Sequence, residues 1–457
     1  MDKPTADTIW LILCSGLVLL MQPGFMCLES GLTRAKNSIN VAIKNLADFG
    51  ISILLFWALG FGLLWGVSVG GWFGSTGFFK ELSSQQSSFP AAFFIFQAMF
   101  CGTAATIISG AVAERMRFTG YLLVIALLAV FLYPMFGHWA WSGWLKSLHF
   151  KDFAGGTVVH GSGGWLALAC ALVIGPRAGR FLKGSAQSIP GHNFPVAILG
   201  TMLLLVGWFG FNGGSTLEIN KQIPGILVNT ILGATAGMIV TLLCSWWIDQ
   251  MPRTEDLICG TLAGLVAITP CCDVINSGAS VLVGGVGGVI ALVGSRLLIR
   301  WQIDDAVGAI PVHAFAGAWG TLAVALFGRI SLPFWEQLGV QALGVLVCFL
   351  WAFGLGYLLV WLMNRMVPLR VTPEQEHDGL NISEHGARTD LYDILTVMDQ
   401  QAQSGDLSAR APEEPFTEVG QIAKRYNEVL DAFEKNASEL EKAKEDAESA
   451  NRLKSSF

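Results

Sequence analysis

Charge is what this 457-residue chain has least of: Asp, Glu, Lys and Arg make up 14% of it, against about 25% in an ordinary soluble domain. A surface so short of charge is not one that faces water throughout. The apolar share of 53% and a mean hydropathy of +0.55 agree. The shortage is also local. Residues 371–457 hold 9 of the 28 Lys/Arg and 19 of the 34 Asp/Glu. The net charge of −6 therefore averages a first part at +4 and a tail at −10, and only the tail has soluble composition.

Other absences narrow the function. No disulfide framework is evident among the nine cysteines, because Cys14, Cys27, Cys101, Cys170, Cys244, Cys259 and Cys348 lie inside apolar runs and read as small hydrophobes. Cys271 and Cys272 are adjacent but lack a second metal-type pair, so no metal site is expected. Neither a nucleotide-binding motif nor an activated nucleophile appears, so this chain is not read as an enzyme, and no cofactor or nucleic-acid partner is expected. The first apolar run has little positive charge before it, carries Glu29 and continues into Arg34-Ala-Lys36 without a small-residue cleavage site. It reads as a mature span rather than a signal peptide.

What is present is apolar sequence in long runs. A spanning helix needs roughly 20 mostly apolar residues. Eleven candidates meet this, at about 8–31, 44–68, 92–113, 119–138, 158–176, 194–213, 223–248, 257–276, 279–299, 307–327 and 336–366. The expected fold is thus all-α: a polytopic membrane bundle over residues 1–370, followed by a helical tail. Lys and Arg in alternate loops divide 13 to 6. By the positive-inside rule this sets the N-terminus outside and the tail in the cytoplasm of a multi-pass inner-membrane protein in contact with lipid. The 53 glycines, many of them inside the spans, suit closely packed membrane helices.

Two segments echo each other: Val159-His160-Gly-Ser-Gly-Gly164-Trp165 and Val312-His313-Ala-Phe-Ala-Gly317-Ala-Trp319. They fall in the fifth and tenth spans. An odd offset of five spans reverses direction, so the bundle is expected to be an inverted five-helix repeat with its binding site between the halves. Ionisable groups within a membrane are costly, and a matched pair is more telling than a lone buried histidine. Neutral imidazoles donate from one nitrogen and accept at the other, and a pair of them suits a small polar guest or a proton. Phe96-Gln-Ala-Met-Phe100 in the third span, Trp208-Phe-Gly-Phe211-Asn-Gly-Gly-Ser215 closing the sixth and Trp141 near the outer end of the fourth offer aromatic faces and a hydroxyl able to hold a small cation, at about 0.5–2 kcal/mol per ring. The alternative is an interfacial aromatic belt, which suits Trp10, Trp65 and Trp72 better. Asp152 reads either as a helix cap or as an outer negative charge.

Met21-Gln-Pro-Gly-Phe-Met-Cys-Leu-Glu-Ser-Gly-Leu-Thr-Arg-Ala-Lys-Asn37, Asp152-Phe-Ala-Gly-Gly-Thr-Val-Val-His160 and Asp304-Asp-Ala-Val-Gly-Ala-Ile-Pro-Val-His313 strongly resemble motifs of the Amt/Rh ammonium transporter family. The likeness runs over roughly residues 8–388. It implies a homotrimer with one narrow pore per subunit and ammonium or ammonia as ligand. It implies further that Trp141, Ser215, Phe100 and Asp152 serve the ammonium site, that Phe100 and Phe211 form a stacked gate, and that His160 and His313 are the twin pore histidines.

A plain member of that family ends soon after about residue 388. Here 371–390 reads as a connector, and 391–440 resembles a HAMP signal-relay module through Gly405-Asp-Leu-Ser-Ala-Arg410 and Glu418-Val-Gly-Gln-Ile-Ala-Lys-Arg-Tyr-Asn427. Residues 441–457 resemble the coiled coil that precedes a sensor histidine kinase, which implies a longer protein with a kinase domain and a response regulator downstream. The expectation is an ammonium sensor. The alternative is an ammonium transporter with a regulatory tail.

Overall fold

The computed structural model of the chain describes residues 2–83, 88–388 and 390–455. Helices dominate, as they must where lipid offers no hydrogen bonds and every backbone group has to be satisfied within its own segment. Among the described residues nine helices are long and apolar enough to cross a membrane. They are α1 (Lys3–Leu32), α2 (Ala35–Trp65), α3 (Ser88–Val112), α4 (Phe118–Ser147), α5 (Gly156–Ile174), α6 (Phe194–Gly214), α7 (Ile223–Asp249), α9 (Ser277–Arg300) and α11 (Phe334–Met366). Two shorter helices, α8 (Thr254–Ile268) and α10 (Pro311–Phe327), complete the bundle of eleven.

The helices depart from the expected spans where side chains override hydropathy. α2 opens at Ala35, well ahead of the apolar run at 44–68, because the polar residues Asn37 and Asn40 are buried among neighbouring helices. α8 closes at Ile268 instead of reaching 276. Pro270 disfavours helix in the residue before it, and the turn that follows is held by the Asn229 amide, which donates to the carbonyls of Cys272 (2.9 Å) and Ile275 (3.0 Å).

Helices α1–α5 and α6–α10 repeat one packing scheme. α1 lies on α6; α2 packs with α3 and α4 as α7 does with α8 and α9; α3 meets α5 as α8 meets α10. The π-helical first turns of α5 (Gly156–Gly161) and α10 (Pro311–Phe315) touch at the centre. Equivalent glycines permit that contact. A Cβ on Gly164 would stand 2.5 Å from the Ala314 nitrogen, and one on Gly317 2.6 Å from the Gly156 oxygen. Outside the bundle lie two small antiparallel hairpins, Ser68–Val69 with Phe73–Gly74 and Phe181–Leu182 with Ser185–Ala186.

The chain divides into two compact units, Met1–Glu384 and His385–Phe457. In the first, short helices α12 (Pro373–Asp378) and α13 (Leu380–His385) follow the bundle. α12 carries a full capping box from Thr372 to Gln375.

In the second unit, α14 (Asp390–Ser404) and α15 (Glu418–Lys454) enclose a small core. Ile394, Ala411 and Ala423 are buried there, with Met398, Val419 and Tyr426 packed around them. The Tyr426 hydroxyl donates to Gln401 at 2.5 Å. The segment between the helices is pinned beside α15 by Asn427, which hydrogen-bonds both backbone groups of Ala411 at 2.9 Å. Because Gln401 near the end of α14 bonds Tyr426 in the third turn of α15, while Ile394 nearer its start shares the core with Val419 and Ala423, the two helices run parallel, with the segment between them returning alongside. Ile422, Val429, Phe433 and Leu440 remain exposed along α15.

Candidate functional site

Each half of the repeat builds its centre in the same way, from a carboxylate at the head of a broken helix. Asp152 accepts four backbone N–H bonds, from Gly155 (3.0 Å), Gly156 (2.7 Å), Thr157 (2.9 Å) and Val158 (2.8 Å). Asp305 accepts three, from Gly308 (3.0 Å), Ala309 (3.1 Å) and Ile310 (2.7 Å). The fourth position is Pro311, which has no N–H to give. Gly155 and Gly308 both take positive φ, +95° and +78°, a backbone turn that favours glycine. In each half the histidine lies eight residues beyond the carboxylate. Burial raises the Asp152 carboxyl to about 6 in spite of these four donors.

The two caps bring the histidines face to face at the centre of the bundle. His160 Nδ1 lies 3.1 Å from His313 Nδ1, with the rings 20° apart in tilt. One Nδ1 must carry a hydrogen and the other must accept it. The two neutral rings then differ at Nε2, one presenting a donor and the other a lone pair. His160 Nε2 is buried and has no hydrogen-bond partner among the described residues.

Beyond His160 stand the aromatic groups. Phe211 lies 5.4 Å from the His160 ring and stacks on Phe100 at 3.9 Å and 5°. Both rings are buried and leave no gap between them. Trp141 lies 6.5 Å from Phe100, backed by Trp65 at 5.9 Å. Its indole donates to the Asp152 carbonyl at 2.8 Å. Ser215, half-buried and one turn past Phe211, donates to the Phe211 carbonyl at 2.8 Å, which leaves its oxygen lone pairs available. The expected residues therefore form one line: Trp141, Phe100, Phe211, His160, His313. The side chain of Asp152 turns into its own loop, and its backbone oxygen reaches Trp141.

Two contributors lay in candidate stretches of the sequence without a role of their own. Trp208 stacks on His160 (5.2 Å, 13°) and is held by Thr269 at 2.9 Å. Its place in the run Trp208-Phe-Gly-Phe211, one turn before the gate ring, was the available signal. Asp305 was visible as the equivalent of Asp152 through the shared spacing Asp-x-x-Gly-x-x-x-x-His.

The His313 end of this line is framed by an ion network. Arg177 pairs with Asp304 (2.8 Å) and Glu114 (3.5 Å), and Arg34 reaches Glu114 (2.5 Å). Burial alone raises the Asp304 carboxyl, but its bonds from Arg177 and the charge of Arg115 prevail and hold it below the ordinary carboxylate range. The connector is strapped to the same frame. Glu376 accepts from the Ala178 backbone (2.6 Å) and from Arg370 (2.8 Å), Asn37 accepts from Leu380 N–H (2.8 Å), and Glu384 accepts from Phe118 N–H (2.6 Å).

Comparison with known proteins gives the family. The Ammonium Transporter Family profile matches residues 9–390. A relative from Synechocystis sp., whose name assigns it provisionally to ammonium transport, is 52% identical over 446 residues, taking in 94% of this chain and 82% of its own. The ammonium transporter Amt2 of Archaeoglobus fulgidus is 41% identical over 409 residues, covering 83% of this chain and 87% of its own. Among solved structures, one titled "Sensor Amt Protein" superposes with a TM-score of 0.81 at 40% identity, covering 83% of this chain and 98% of that one. Saccharomyces cerevisiae Mep2 gives 0.74 at 26%, covering 81% and 90%. The chain is a multi-pass membrane protein and belongs to the ammonium transporter family.

Proposed function

We propose that this protein captures ammonium at Trp141, Phe100 and Ser215, passes it behind the Phe100–Phe211 gate to the His160–His313 pair, and reports its occupancy through the C-terminal unit. The observation that carries the pore reading is the aligned set of stacked gate rings and facing imidazoles. Ring faces and a hydroxyl oxygen suit a small cation. Desolvation behind the gate favours loss of its proton, and the neutral product meets one Nε2 donor and one Nε2 acceptor. Asp152 acts through position, holding the His160 turn by its carboxylate and Trp141 by its carbonyl. The Lys and Arg counts support an N-terminus outside and a tail in the cytoplasm of the inner membrane, and the family resemblance supports a homotrimer.

Three observations support transduction. The connector is bonded to the loops beside Asp304 and Arg177. The second unit is a parallel helix pair with a returning connector, the arrangement of a HAMP subunit, which suits relay to a downstream kinase domain and response regulator. The structure of similar fold at 40% identity is titled a sensor. The second reading, a transporter with a regulatory tail, is favoured by the Synechocystis relative, since its match takes in more of this chain than the profile over residues 9–390 does.

Currents on a supported membrane separate the two. Saturable ammonium binding with no steady current, together with ammonium-dependent hydrogen exchange in residues 370–388, supports sensing. A sustained ammonium current without any change in that exchange supports transport alone.

A further inference from the structure

Beside His313 stands a further buried carboxyl group. Glu29, in the last turns of α1, is 1% exposed. Its Oε2 accepts from the Asn45 amide at 2.9 Å, and that amide also reaches Ser109 Oγ at 3.3 Å. Lys44, on the next helix, gives its ammonium to the Met116 carbonyl at 2.6 Å instead of to Glu29. Asp48, the other carboxylate of this region, accepts from Thr106 at 3.0 Å and from Tyr121.

Glu29 and His313 line the same small chamber, of about 10 Å³. That is about the space one water molecule needs. The other walls are mostly apolar, among them Phe25, Ile107, Leu262 and Val312. Cys259, the remaining polar side chain, directs its thiol to the Val307 carbonyl at 3.6 Å. Cys259, Val307 and Gly308 also border a much wider cavity of about 440 Å³, whose lining includes Arg177, Arg180, Arg253, Asp256 and Asp305. A single-guest chamber therefore lies between the histidine pair and a wide charged vestibule.

Water and ammonium fit such a chamber equally well by size, but not by bonding. Ammonium has four donors and no acceptor, and it carries a charge that an apolar wall does not offset. A carboxylate and a histidine nitrogen supply what it lacks. We propose that Glu29 is a second ammonium station, binding the guest as the cation between His313 and the wide vestibule; this rests on the pore reading above. Ammonia arriving from the histidines takes a proton from hydronium on the vestibule side. An N–H bond forms as the hydronium O–H bond breaks, water is left, and the Glu29 carboxylate balances the new charge.

The competing role for Glu29 is to pin α1 to α2 through Asn45. Glu29→Gln separates the two, since its amide oxygen still accepts from Asn45 while the charge is lost. The experiment is the ammonium-minus-potassium infrared difference spectrum of the full chain in lipid vesicles, with tryptophan fluorescence recorded on the same samples. The wild type is expected to show carboxyl-region difference bands that Glu29→Gln abolishes and Asp48→Asn keeps. All three proteins are expected to keep the fluorescence response to ammonium at the Trp141 end. Bands that persist in Glu29→Gln, or fluorescence binding with no carboxyl band in the wild type, would overturn the second station and leave the pore reading standing. Loss of both signals in the wild type would overturn the pore reading, and the station with it.

Discussion

At the scale of single residues, the proposed site divides into groups taken to meet the guest and groups taken to hold those in place. His160 is the first kind. His160→Asp replaces a neutral donor–acceptor ring with a carboxylate beside His313, so passage is expected to change at least ~10-fold while binding at the Trp141 end stays within about twofold; flux and fluorescence titrations check this. Asp152 is the second kind. Asp152→Ala strands four buried N–H groups, each costing about 1–3 kcal/mol, so the melting temperature in detergent is expected to fall sharply. Asp152→Asn, which keeps one acceptor oxygen, is expected to lose less. The histidines, the gate rings and Trp141 were legible because aromatic and ionisable residues stand out in apolar runs. Trp208 stood in the same candidate stretch as Phe211, but the sequence does not say which of its rings meets a histidine. Only the fold puts it flat against His160. Whether Asp152 caps or binds was equally open in sequence, since both roles need a carboxylate at that point and only the direction of its oxygens decides.

At the scale of elements, helix existence was readable from hydropathy and helix ends were not. Apolar runs report what faces lipid. They do not report Asn37 or Asn40, which are buried inside the bundle and extend α2 ahead of its apolar stretch. The broken starts of α5 and α10 follow from local chemistry: carboxylate, glycine at positive φ, then a π-helical turn. Proline at 311 removes a donor that Asp305 therefore need not satisfy. The frame under this turn is electrostatic and gives a signed pH prediction. Asp304 titrates below its unfolded value of about 3.9. Its pairing thus stabilises fully above that value and is lost as pH falls through the lower folded one. Asp304→Asn is expected to lower thermal stability at neutral pH, and its gap from the wild type is expected to close as the pH drops below about 4. A constant gap across that range, in scans at stepped pH, would contradict the pairing.

At the scale of the molecule, two units share one chain. The first has its own core and holds every residue assigned to the pore. Removing residues 391–457 is therefore expected to leave ammonium affinity within about twofold, by calorimetry, and to abolish only the relay. The division into bundle and tail could be read in the charge distribution, and the family in its long motifs. Parallel helices were what the tail's apolar spacing suggested, but which of those positions are covered was not legible, because heptad-like spacing marks an apolar stripe without saying what packs on it. Ile394, Val419 and Tyr426 face inward, while Ile422, Val429 and Phe433 stay exposed.

The central claim is selective ammonium capture at the aromatic entrance. Calorimetric titration of ammonium, and separately of sodium, into the full chain tests it most directly. The account predicts a saturable heat for ammonium, none for sodium, and loss of the ammonium heat in the Trp141→Ala, Ser215→Ala double variant. A saturable sodium heat of equal size, or an ammonium heat untouched in the double variant, would contradict it.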